Sequence, residues 1–365
     1  MPEQPAAGMR TISYAEAVRE ALIESGKKDA NVIFFAEGIQ DPAAVFGTTR
    51  GLAEACGSNR VIEMPVSENG LTGVAVGAAL LGKRPVISFH RVEFALLALD
   101  QILNNAGKAH YISGGRHKVP LVIRMVVGRG WGQGPEHSQS LEALFAMMPG
   151  VKTVMPAFPA DAKGLIAGAI ADDNPVMVIE HRWCHYATGH VPEGYYSLTL
   201  DGPQVVEAGG DVTIVTTSYM TLEALRASKV LRAIGVNAEI IDLRVLRPLN
   251  MQPILASLAK TGRLVTVDTG WRTLGMGAEI VACAATEGFG LLKAPPQRLG
   301  MPDHPTPSSR GMVPGVYPDA IRIVRTVAGM LGLSADRLAA AEEQLAQERG
   351  DLPVDVPDPF FKGPF

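Results

Sequence analysis

The stretch Arg60-Val-Ile-Glu-Met-Pro-Val-Ser-Glu-Asn-Gly-Leu-Thr-Gly-Val-Ala-Val-Gly-Ala-Ala-Leu80 places one carboxylate, Glu68, where a buried strand gives way to a glycine-rich helix. Residues 61–64 predict a short apolar strand and residues 65–67 a turn. Gly70, Gly73 and Gly77 then smooth one helix face enough for close approach, either by another helix or by a flat ligand. Glu68 falls in the first turn, where the helix dipole favours an anion, and that alone accounts for a glutamate there.

Outward from this stretch the pattern alternates. Ser13-Tyr-Ala-Glu16 predicts a capping box opening a helix that runs through Glu24 and stops at Gly26. Strands are expected over 32–36, 86–89, 121–126, 151–155 and 176–180, and helices over 94–112, 141–147 and 160–171. Near-continuous apolar strands alternating with helices indicate a parallel sheet covered on both faces, so residues 10–190 are expected to form one doubly wound α/β domain. Residues 191–209, rich in proline, glycine, tyrosine and threonine, are expected to be a linker. A second α/β domain is expected over 210–332, with strands near Ile214, Ile240 and Leu264 and a closing helix from Tyr317 to Leu331. Residues 333–365 predict a helical extension with a proline-punctuated tail that lies on a partner or on its own body.

Composition narrows the function classes. The 365 residues are 47% hydrophobic and 19% charged, and the net charge of −4 without a basic run argues against nucleic acid or an anionic membrane as partner. No apolar run reaches the roughly 18 residues needed to span a bilayer, and no signal peptide is expected. Cys56, Cys184 and Cys283 are widely separated without metal-ligand spacing, which predicts buried thiols in a reducing cytoplasm.

The Glu68 stretch, followed by Gly82-Lys-Arg-Pro-Val, Ala98-Leu-Asp-Gln-Ile-Leu-Asn, Pro135-Glu-His-Ser-Gln and Asp172-Asp-Asn-Pro-Val, resembles the beta subunit of thiamine-diphosphate-dependent 2-oxo acid dehydrogenases. It is similar as well to the pyrimidine-binding and C-terminal domains of transketolase. The likeness runs from about Arg10 to about Leu331, with the blocks in the same order.

The resemblance implies specific chemistry. The glutamate at the position of Glu68 hydrogen-bonds N1′ of the cofactor's aminopyrimidine, so that the 4′-amino group can remove the thiazolium C2 proton. A dry pocket should raise the pKa of such a carboxyl. The histidine of the His-Ser-Gln block, here His137, lines the substrate channel, with Arg129, Trp131 and Glu136 of the same loop as substrate-side contacts; the other reading of His137 is a helix N-terminal histidine bonded to a loop carbonyl. The aromatic residue that stacks on the aminopyrimidine falls on Val92, and Leu71 replaces another aromatic, so cofactor contacts are expected to differ there. His90 and Arg91 add charge beside the pocket, which suits an acidic or phosphorylated substrate or else a solvated surface. Carbonyls around Ala169, Asp172 and Asn174 match a helix end that binds potassium in relatives; water serves there equally well.

One block is missing. The Gly-Asp-Gly motif that holds magnesium and the diphosphate is absent, since Gly210-Asp211 and Gly350-Asp351 are not followed by glycine. The resemblance therefore implies an alpha-type partner that supplies this half, most simply as an α2β2 heterotetramer, with a lipoyl-carrying acyltransferase core as a further partner. Two other functions fit the same residues: a split transketolase-like ketol or acyl transferase, and a scaffold subunit without catalysis.

Overall fold

A computed structural model of the chain describes residues 8–128 and 132–357. Contacts group the described residues into a first unit, 8–128 with Leu144–Leu200, and a second, 132–143 with 201–357. The segment around His137 thus groups with the second unit, although sequence position assigns it to the first domain.

The first unit opens with β1 (Met9–Ser13) and α1 (Tyr14–Lys28). Ser13 caps α1 in the expected box with Glu16, but the helix runs through Gly26. A Cβ there would stand 2.6 Å from Cys56 Sγ, so this glycine serves close packing against α2 (Leu52–Cys56), not termination. After β2 (Val32–Ala36) and α2 come β3 (Val61–Glu63), α3 (Glu68–Leu80) and β4 (Arg84–Phe89). The single long helix expected over 94–112 is broken into α4 (Val92–Ala95), a tight turn, π-type turns over Asp100–Ala106 and α5 (Gly107–Ile112). Then follow β5 (Val122–Val127), α6 (Glu142–Ala146), β6 (Lys152–Val154), α7 (Pro159–Ala171), β7 (Val176–His181) and β8 (Thr188–Pro192).

These strands order β6-β7-β5-β4-β2-β3, all parallel, with Phe34 of β2 opposite both Val61 and Val86. The carboxyl ends of β2, β3, β4, β5 and β7 therefore share one edge, where open parallel sheets bind ligands. Every residue of β5 and β7 is buried, as an all-parallel sheet requires. The charged exceptions are paired: Arg124 Nε donates to Glu180 Oε1 at 2.7 Å, and its Nη atoms reach Ser88 Oγ and Thr48 Oγ1 at 3.0 Å. His185 Nε2 lies 3.2 Å from Glu180 Oε2, with its ring stacked on Tyr14.

The expected linker is partly ordered into sheet. β8 pairs antiparallel with β1, Met9 opposite Pro192, and β9 (Gln204–Glu207) joins the second unit antiparallel to the strand Ala238–Asp242. That unit continues with β10 (Val212–Thr216), α8 (Tyr219–Ala233), β11 (Ala238–Asp242), β12 (Val245–Arg247), α9 (Gln252–Thr261), β13 (Leu264–Trp271), α10 (Met276–Glu287) and β14 (Gln297–Met301). Its sheet orders β14-β13-β10-β11-β9. Two helices follow, α11 (Ala320–Leu331) and α12 (Ala335–Arg349), the latter tied by Lys229 to Glu348 and Arg325 to Glu342. The tail then turns back on its own unit, where buried Asp355 pairs with Arg310 Nε at 2.8 Å.

Cys56 and Cys184 are buried as expected, whereas Cys283 is half-buried. No helix among the described residues is long and apolar enough to cross a membrane.

Candidate active site

Glu68 is the first residue of α3 and only 6% exposed, at the carboxyl edge of the first sheet. Ser67 precedes it without a side-chain cap, so the first turn keeps amide donors free of a capping hydroxyl. Two further carboxyls stand nearby. Glu63 accepts from Gly38 N at 2.6 Å and Gln40 N at 3.3 Å, fixing the loop after β2. Glu37 lies above the usual carboxylate range, first through burial and then through the charges of Glu68 and Glu63. Its Oε1 is buried without a hydrogen-bond partner among the described residues. Glu37 escaped the sequence reading, although its place directly after β2 was the available signal.

The glycine face is only partly used. A Cβ on Gly73 would stand 3.3 Å from Gln101 Oε1, while Gly77 has open space above it. Leu71 is half-buried beside this face. Val92, assigned to cofactor contact by its spacing, is 0% exposed, so its side chain is spent in the core and offers nothing to a ligand. Phe94, two residues further along the same short helix, is half-buried and supplies an aromatic ring.

Arg91 corrects another expectation. It is 2% exposed, which excludes the solvated-surface reading. Its guanidinium lies 5.5 Å from the ring centre of Phe46, and that of Arg182, after β7, lies 4.7 Å from the same ring. Phe46 holds a left-handed backbone at φ 50°. His90 meets it edge-on at 5.7 Å. Burial lowers Arg91 to about 10, Glu93 opposing and Arg182 assisting. Burial and then Arg91 lower His90 as well. Two like charges thus converge at the carboxyl edge around one ring. Arg182 and Phe46 were not singled out from the sequence, because nothing local links positions so far apart.

His137 belongs to the second unit and is half-buried in the segment before α6, with Glu136 exposed beside it. Arg129 and Trp131 lie outside the described residues. The helix end assigned to potassium already holds a cation: Arg84 Nη1 donates to the carbonyls of Ile170 and Asp172, each at 3.0 Å. The Asp172 carboxylate accepts from Lys152 and from Asn174 N and Nδ2, and the Ala169 carbonyl accepts from Asp172 N at 3.2 Å. Gly210-Asp211 is a turn, Asp211 Oδ2 accepting from Asn237 N at 2.7 Å.

Comparison with known proteins agrees with this architecture. Residues 10–184 match the family described as transketolase, pyrimidine binding domain, and residues 202–319 match transketolase, C-terminal domain. The chain is 40% identical over 301 residues to the pyruvate dehydrogenase E1 component subunit beta of Chaetosphaeridium globosum, covering 82% of this chain and 92% of that one. It is 36% identical over 335 residues to the acetoin:2,6-dichlorophenolindophenol oxidoreductase subunit beta of Bacillus subtilis (strain 168), covering 88% and 98%. A solved split gene transketolase, in an inactive beta4 tetramer, superposes with a TM-score of 0.71 over 88% of this chain and 99% of its own, at 24% identity, a likeness of fold.

Proposed function

The chain belongs to the E1 beta-subunit family of thiamine-diphosphate-dependent 2-oxo acid dehydrogenases, and from that membership we propose that it is the cofactor-activating half of a two-component decarboxylating enzyme. The observation that carries this is Glu68, a nearly buried carboxyl at the start of a glycine-rich helix on the ligand-binding edge of a parallel sheet. Those residues fit an aminopyrimidine: one nearly buried acid in a first turn, a glycine-rich helix face open at Gly77, and the half-buried Leu71 and Phe94 as apolar side chains of the same unit.

Thiamine diphosphate, when bound, supplies the nucleophilic carbon and the electron sink that decarboxylation needs. The task of the chain is proton placement. Glu68 would hold a proton at N1′ of the bound aminopyrimidine. Glu37, raised by burial and by the charges of Glu68 and Glu63, stands beside it as a second carboxyl of the same edge. His137 serves the substrate channel as a hydrogen-bonding imidazole. An alpha-type subunit supplies the magnesium and diphosphate half in an α2β2 assembly, and a lipoyl-carrying acyltransferase core takes the acyl group.

The Arg91 and Arg182 pair refines the donor. The two guanidinium groups beside Phe46, Glu93 offsetting part of the Arg91 charge, favour a 2-oxo acid with a second anionic group over pyruvate. The test is reconstitution with the alpha partner. Decarboxylation of 2-oxo acids with an artificial electron acceptor, together with acylation of a lipoyl domain, supports the dehydrogenase. Turnover of ketose or aldehyde donors without lipoyl acylation supports the split transferase in its place.

A further inference from the structure

The segment that carries His137 is fastened at both ends within the second unit. Upstream, Thr306 Oγ1 donates to the Gly134 carbonyl at 2.9 Å, and Gly134 sits at φ 61° where a Cβ would overlap Ser308 Oγ. Downstream, the fastening is unusual, because it sets two carboxyl groups against each other. Glu142, the first residue of α6, is 0% exposed, and it faces Asp268 near the end of β13, 4% exposed.

The donors around the two are unequal. Asp268 accepts from Met276 N at 2.9 Å, Gly270 N at 3.2 Å and Thr217 Oγ1 at 3.3 Å, as a carboxylate does. Glu142 Oε2 accepts from Ser140 Oγ at 2.6 Å, and Ser140 Oγ pairs in turn with Thr269 Oγ1 at 2.8 Å. Glu142 Oε1 is buried with no donor among the described residues. Space is tight there: a Cβ on Gly270 would stand 2.7 Å from that oxygen, so water does not stand in for a donor on that side. Two facing carboxylates repel, whereas one proton between them makes a charge-assisted hydrogen bond.

We propose that Glu142 is a positioning residue that keeps its proton at neutral pH, donates it from Oε1 to Asp268, and thereby latches the His137 segment to the edge of β13. Only a proton is exchanged with solvent when the latch opens. Burial first, and the charge of Asp268 second, push the Glu142 carboxyl well above its ordinary range. Asp268 is the ionisable group facing it; on its own segment the ionisable groups are exposed Glu136 and half-buried His137. A carboxyl raised on folding stabilises the closed form below its unfolded pKa, and that contribution is lost as pH rises through the folded value. The latch is closed at neutrality and opens toward alkali.

The consequence for catalysis rests on the role proposed for His137, so the decisive readouts do not use activity. In the full chain, infrared difference spectra of wild type against E142Q at neutral pH should contain one protonated-carboxyl band that vanishes on alkaline titration. Amide hydrogen exchange over 132–143 should quicken by about tenfold beyond its intrinsic pH dependence across the same titration. E142Q keeps a donor toward Asp268 and an acceptor for Ser140, so its segment should stay protected at both pH values. A missing band, or equal alkaline loosening in E142Q, overturns the latch. An intact latch whose loss leaves the pH profile of the reconstituted enzyme unchanged would instead count against the role of His137.

Discussion

Arg182 holds its guanidinium 4.7 Å from the ring centre of Phe46 while Arg91 approaches the same ring at 5.5 Å, so two buried cations share one aromatic side chain. Gly128 permits this crowding, since a Cβ there would stand 2.9 Å from Arg182 Cβ and 3.5 Å from Arg91 Nη1.

Arg91→Gln removes the charge while keeping a polar side chain with hydrogen-bond donors. In the reconstituted enzyme it should raise KM for a dicarboxylic 2-oxo acid about tenfold, with KM for pyruvate changed much less. Equal effects on both donors would assign Arg91 to packing alone.

The Arg124, Glu180 and His185 network predicts acid lability. Burial pushes Glu180 up, but the charge of Arg124 and the hydrogen bond from His185 hold it down to about 2. Burial holds His185 at about 4 against an ordinary 6.5. Both are depressed, so both contribute stability above their unfolded values and lose it as pH falls. The loss begins near 6.5 with His185 and continues through the Glu180 value near 2. His185→Gln, neutral at every pH, should remove the upper part of that limb in a melting-temperature titration. An unchanged limb would place the acid sensitivity elsewhere.

Breaking the pair is a harsher change. Arg124→Met leaves Glu180 buried without its cation and should cost about 3 to 5 kcal/mol in denaturant unfolding. A cost under about 1 kcal/mol would mean that water or repacking replaces the ion pair.

Gly26→Ala tests the packing reading of that glycine. Its Cβ would fall 2.6 Å from Cys56 Sγ and 3.1 Å from the Phe34 ring, so overpacking should destabilise by about 1 to 3 kcal/mol. A stabilising effect, as an ordinary helical glycine gives, would show that α2 yields freely.

The sequence was most legible where pattern and chemistry are local. Ser13 and Glu16 form their capping box because both partners lie within one turn. The apolar runs of β5 and β7 read correctly because a parallel strand buried on both faces needs no alternation. Legibility failed where the deciding partner is remote. Gly26 reads as a helix stop until Cys56 appears beside it, and β8 reads as linker until β1 pairs with it. The short strand β14 hides behind Pro295 and Pro296 because its partner, β13, lies far back in the chain. At the site, spacing pointed to Val92, yet the first turn of α4 sends that side chain into the core, and the aromatic ring nearby belongs to Phe94.

The most direct measurement is the turnover of Glu68→Gln in the complex reconstituted with an alpha partner and thiamine diphosphate, followed with an artificial electron acceptor. The amide cannot exchange a proton with N1′, so kcat should fall by about a hundredfold or more while the complex still assembles. Turnover within about threefold of wild type would contradict the claim that this carboxyl activates the cofactor.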